Sequence, residues 1–332
     1  GNAISLASDE INVGNISISQ ESLSADGNIT LGNNTVSLSG GDLASDEISI
    51  SQTDITAEAI SAGDNLISAS VDSIDSGDVS ITQAGLSANS ITLGANTIDI
   101  TVGEEGNVYL ESVGITQHAI TADAITLGGD SINLQFGEDT QSTDPSGNVT
   151  ISQYDLVANG SGATLDVAGE NITIGAADGA NITLGNIGID QTDLHADNLN
   201  LADQAIAISA GEEALLSAGD VYINQHNLTV GDSINAAGDQ INLTASEDGT
   251  LRLGDVYINQ TDLSASSIDL SNAQIGFSGG NLSAGDISIT QQNLTASDIT
   301  TGNTISLDGE YLQAGNISIT QEDLSADNNL SL

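Results

Sequence analysis

With 47 Asp and Glu against one Lys or Arg (Arg252), the 332-residue chain is a polyanion of net charge −46. Nucleic acid and anionic membrane surfaces are therefore excluded as expected partners, because binding them depends on Lys and Arg. Absence of Cys removes disulfides and thiolate metal sites, and no apolar run approaches the ~20 residues that span a bilayer, so membrane insertion is not expected.

Only 2% of residues are aromatic, a trait of disordered chains, yet 38% are hydrophobic, a single Pro (Pro145) interrupts them, and they alternate with polar residues. In chain order one segment recurs: "GNISISQESLSA" (14–25), "DEISISQTDITA" (46–57), "GDVSITQAGLSA" (77–88), "ESVGITQHAITA" (111–122) and "GNVTISQYDLVA" (147–158). It continues as "GNIGIDQTDLHA" (185–196), "GDVYINQHNLTV" (219–230), "GDVYINQTDLSA" (254–265), "GDISITQQNLTA" (285–296) and "GNISITQEDLSA" (315–326). Within a segment, period 2 puts Ile16 and Ile18 on one face and Ser17 and Ser19 on the other. Between segments lie further apolar pairs, such as Ile29/Leu31, Val36/Leu38, Ile91/Leu93, Ile98/Ile100, Leu199/Leu201 and Ile206/Ile208, separated by turn-forming Gly, Asn, Asp and Ser.

Short strands and turns at a fixed period, with helical spacing nowhere sustained, predict an all-β fold: a right-handed parallel β-solenoid (β-helix) of about ten repeats of 30–38 residues, stacking end to end. A single domain over 1–332 follows, with a partial repeat 1–13, repeats starting near 14, 46, 77, 111, 147, 185, 219, 254 and 285, and a partial repeat 315–332. One coil per repeat is the preferred reading; the apolar pairs also allow two. The two longest interruptions, 136–148 and 158–181, are expected to bulge from the rod as lateral contacts.

Every copy carries one glutamine: Gln20, Gln52, Gln83, Gln117, Gln153, Gln191, Gln225, Gln260, Gln291 and Gln321. Stacked at strand spacing, each amide can donate to one neighbour and accept from the other, so a structural ladder is expected. A second column precedes the strand (Asn15, Glu47, Asp78, Ser112, Asn148, Asn186, Asp220, Asp255, Asp286, Asn316). Three successive acids there, Asp220, Asp255 and Asp286, repel by about 1 kcal/mol per pair even in water. Either the column is well solvated or a divalent cation such as Ca²⁺ bridges it, although the calcium nonapeptide of β-rolls is missing. No other cofactor is expected.

Catalytic chemistry is hard to assemble. Carboxylate pairs at glycosidase spacing arise by chance among so many acids, and His118, His195 and His226 lie in different copies, so no zinc site is expected. Tyr222 and Tyr257 occupy the same outward position in adjacent copies and are expected to stack. The Asn-x-Ser/Thr sequons, Asn15, Asn148 and Asn316 among them, are read as by-products of the repeat before glycan acceptors.

Placed before "GNAISL" (1–6), "NLSL" (329–332) reads in phase with the internal "DITTGNTISL" (298–307), and the interval from Gln321 across the seam to Gln20 falls inside the internal range. Gly1, Asn2, Ile4, Leu6, Leu330 and Leu332 are therefore expected to form an assembly junction between copies, a heterologous contact that yields an open filament. A covalent junction within a longer repetitive chain is the competing account. Phrases such as "GNISIS" (14–19), "GNITLG" (27–32) and "LSADGNITL" (23–31) resemble the β-helical shafts of filamentous-haemagglutinin-like bacterial surface adhesins. That resemblance implies secretion, an extracellular or cell-surface location, and a role in adhesion or matrix cohesion. The expected function is a non-enzymatic extracellular structural protein, the subunit of a head-to-tail homopolymer, with lateral bundling through divalent cations as a further expectation. The alternatives are a shaft segment of a large secreted adhesin and a β-helical carbohydrate-active enzyme.

Overall fold

The computed structural model describes residues 1–142 and 146–332. It is a parallel β-solenoid of about ten turns, built from strands and corners with no helix among the described residues. Each motif strand lies beside its counterpart one repeat later: Gln20 opposite Gln52, Gln52 opposite Gln83, and so on to Gln291 opposite Gln321. That register fixes one coil per repeat. At ~4.8 Å per coil the rod is about 50 Å long.

The second coil shows the plan. Ile48, Ile50 and Gln52 point inward from the motif strand, Ile60 and Ala62 from a short second wall, and Asn65, Ile67, Ala69 and Val71 from a third. Ile74 and Ser76 close the turn before Val79 opens the next coil. Ile, Val and Leu suit such walls because β-branched and branched side chains pack well on a pleated surface and gain ~1.5–3 kcal/mol each on burial.

The first corner has a fixed form. Two residues after every glutamine the backbone adopts positive φ: Ser22, Asp54, Gly85, Ala119, Asp155, Asp193, Asn227, Asp262, Asn293 and Asp323, all between 52° and 63°. Asn, Asp and Gly tolerate this left-handed conformation, which turns the chain sharply out of the strand. Two apolar compartments result. The larger is bounded by the motif strand and the third wall (Ile50, Ile67, Val71, Ile81, Ile98 among others), the smaller by the corner residue and second wall (Ile55, Ile60, Leu86, Ile91). A polar seam of glutamines runs between them along the rod.

The segment 158–181 does not bulge. Its strands Thr164–Val167 and Asn171–Ala176 pair in register with Ala124–Leu127 and Ser131–Phe136, and Leu165, Val167, Ile172, Ile174 and Ala176 are buried. The reason is its own period-2 apolar pairs, which are worth more inside than out; residues 159–162 form the one run of four exposed positions in the segment. In the other interruption Phe136 is buried and Gln141 pairs with Asn107. Its residues Thr143, Asp144 and Pro145 lie outside the described residues.

Candidate functional site

The polar seam is the most organised set of side chains in the molecule. Nε2 of each glutamine donates to Oε1 of the glutamine one coil earlier: Gln52 to Gln20 at 2.8 Å, Gln83 to Gln52 at 2.7 Å, Gln117 to Gln83 at 2.8 Å. The chain continues through Gln153 (2.7 Å), Gln191 (2.9 Å), Gln225 (3.0 Å), Gln260 (2.9 Å) and Gln291 (2.8 Å) to Gln321 (2.9 Å). From Gln52 to Gln291 these side chains are at most 1% exposed. Away from water such amides persist only when paired.

A second interior column faces them, and the sequence reasoning above missed it: Asn2, Asn34, Asn65, Asn96, Asp130, Glu170, Gln204, Asp239 and, after an interruption at Ala273, Asn303. In its first coils Nδ2 donates to the coil above, Asn34 to Asn65 at 2.9 Å and Asn65 to Asn96 at 2.8 Å, the opposite sense to the glutamines. Rungs tie the columns together within a coil: Asn34 Nδ2 to Gln20 Oε1 (3.2 Å), Asn65 to Gln52 (3.3 Å), Asn96 to Gln83 (2.9 Å) and Asn303 to Gln291 (2.8 Å). The signal was present as a polar residue 13 positions after the glutamine (Gln52/Asn65, Gln83/Asn96, Gln117/Asp130, Gln191/Gln204), ahead of an apolar pair. Acids enter this column at three places. Burial pushes Asp130 and Asp239 up to about 7 and Glu170 well above the usual glutamate range, the Asp130 charge adding to the effect on Glu170.

On the outside, Asp220, Asp255 and Asp286 do stack, and their carboxylates have partners. Asp220 Oδ1 accepts the backbone N–H of Asp255 (2.9 Å), Asp255 Oδ1 that of Asp286 (2.8 Å), and Asp286 Oδ1 that of Asn316 (2.7 Å). Asn148 and Asn186 make the same contact lower down, to the N–H groups of Asn186 and Asp220 (2.9 Å each). Hydrogen bonds from Asn316 hold the Asp286 carboxyl below the usual range. These bonds explain how like charges tolerate stacking: each binds a peptide dipole and stays in contact with solvent. Among the described residues no group of three or more His, Asp or Glu is arranged to hold a metal ion.

The remaining candidates are dispersed. Tyr222 and Tyr257 stack at 5.4 Å, with the Tyr222 ring over Gly188, and His118 stacks on Tyr154 at 4.8 Å. His226 Nδ1 sits 3.2 Å from Asp262. Arg252 borders a groove of about 300 Å³ with Thr250, Asn281, Ser283, Tyr311 and Gln313. The residues expected at a junction divide between the two ends. Gly1, Asn2, Ile4 and Leu6 lie on the first coil, where Asn2 Nδ2 donates to Asn34 Oδ1 (3.3 Å) and Ile4 and Leu6 pair with Val36 and Leu38. Leu330 and Leu332 lie on the last, 47% and 69% exposed.

Compared with known proteins, the chain matches no family model, and no curated protein and no solved structure is significantly similar to it.

Proposed function

We propose that the chain is a structural rod whose end coils are extended by further coils of the same kind, so that copies join head to tail in a filament. The observation that supports this reading is the stacking of like coils in one orientation, each covering the apolar face and pairing the ladder amide of the next. Ile317 and Ile319 are 55% and 47% exposed on the last coil, whereas their counterparts one coil below, Ile287 and Ile289, are fully buried. The ladder is also directional: each glutamine donates Nε2 to the coil before it and offers Oε1 to the coil after it. A second copy in the same orientation continues both, and a reversed copy continues neither. Resemblance to haemagglutinin-like shafts supports placing such a rod outside the cell, where its acidic surface keeps it soluble and open to lateral bundling by divalent cations.

Electron microscopy of the purified chain over a concentration series tests the proposal. Fibres of uniform width that lengthen with concentration are expected. Isolated rods about 50 Å long at every concentration overturn it and favour a shaft segment continued covalently.

A further inference from the structure

We propose that Asp130 and Glu170 form a proton-binding site inside the rod, in which one proton on Asp130 Oδ2 takes the place of an asparagine amide hydrogen. The inference is independent of whether the rod forms filaments. It follows from the three coils below the pair. There, each Asn uses Oδ1 to accept from the coil beneath, and Nδ2 to donate both to the glutamine of its own coil and to the column residue above. Asp130 continues that column. Its Oδ1 accepts from Asn96 N (3.0 Å) and Asn96 Nδ2 (2.9 Å), as an asparagine would.

By the pattern of Asn34, Asn65 and Asn96, Asp130 Oδ2 takes the place of Nδ2, the atom that donates to the glutamine of its own coil and to the column residue above, here Gln117 and Glu170. As a bare carboxylate oxygen it has nothing to accept there, and it is a buried polar atom with no hydrogen-bond partner, in a residue 1% exposed. Glu170 is differently placed: Oε1 accepts from Gln153 Nε2 (2.9 Å) and Oε2 from the Asp130 backbone N–H (2.7 Å). Both its oxygens are served as acceptors, so the geometry assigns the shared proton to Asp130. The other groups facing the pair are uncharged amides: Asn96, Gln117 and Gln153, with Gln204 above, whose Oε1 accepts the Glu170 N–H (3.1 Å). The one Arg, Arg252, belongs to a later coil. Two stacked carboxylates without a nearby cation do not both ionise at neutral pH, and the upward displacement of both acids agrees.

The consequence is a pH-dependent rod. The folded state keeps a proton that the unfolded chain releases above about pH 4. Stability from this site is therefore complete in acid and is lost as the pH rises from about 4 to about 7, the value to which Asp130 is pushed. The test compares urea unfolding of the wild type and Asp130→Asn from pH 4.5 to 8.5. Because Asn already stands at positions 34, 65 and 96, the variant fits the column. The unfolding equilibrium constant of the wild type is expected to rise about tenfold per pH unit relative to the variant across that window, then to run parallel. Glu170→Gln leaves Asp130 as the one buried acid of the pair and is expected to keep the dependence. A difference independent of pH overturns the proposal. So does a wild type whose unfolding at fixed pH responds to Na⁺, K⁺ or Ca²⁺ where Asp130→Asn does not, since a cation then holds the charge. Infrared spectroscopy gives a second readout: at pH 6 the wild type is expected to show a protonated carboxyl stretch in excess of that of Asp130→Asn, with buried Asp239 contributing to both, and a wild-type band no larger than the variant's refutes the assignment.

Discussion

At the scale of single residues, the two kinds of position that define this fold differ in how they tolerate change. The ladder glutamine does not: Gln191 donates to Gln153 and accepts from Gln225, all within a dry seam. Gln191→Ala strands one acceptor and one donor, and a loss of about 2–4 kcal/mol is expected by urea unfolding, since each orphaned buried group costs ~1–3 kcal/mol. The left-handed corner offers the opposite case. Nine copies place Ser, Asp, Asn or Gly there, whereas the fourth places Ala119 at φ 54°. Its Cβ is strained without a compensating polar contact, so Ala119→Gly is expected to raise stability by about 0.5–1 kcal/mol, read as a higher melting temperature. The glutamine column was legible in the sequence because one residue type recurs in every copy. The column opposite was not, because Asn, Asp, Glu and Gln share it, and physical equivalence in a hydrogen-bonded seam is not identity of letter.

At the scale of the coil, what matters is that each unit packs only on its two neighbours. Alternating Ile, Val and Leu announced the walls and the strand pairing. They did not announce how the long fifth repeat would be housed, because Gly160 and Gly162 suggest a loop while Leu165, Val167, Ile172 and Ile174 belong to the core. Burial of the apolar pairs prevails, and the extra length is confined to a corner. Nearest-neighbour packing makes whole coils removable. Deleting residues 254–284 joins Leu253 to Gly285 and brings "GDISITQ" to the place of "GDVYINQ". A folded product with an unchanged strand signature in circular dichroism and a lower unfolding midpoint is expected, whereas a disordered product contradicts coil independence.

For the whole molecule, the stacking of like coils is what the proposed assembly would extend. From the second copy to the ninth every motif strand has a partner on both sides, and on the last coil Ile319 is half exposed. Ile319→Glu changes a half-exposed side chain and places a charge where, in the proposed filament, the next copy would cover it. Retention of the circular dichroism spectrum with loss of fibres in sedimentation is expected, and undiminished fibres would show that this face takes no part in assembly.

The direction of the backbone hydrogen bonds carries one more consequence, a mechanical one. Between coils they point along the rod, so a load gripping its full cross-section stretches all the bonds of a boundary together, and no single one yields first. A force applied through one loose strand meets them in succession instead and peels the winding open turn by turn. The rod is thus tough when held broadly by its neighbours and compliant when tugged by a thread.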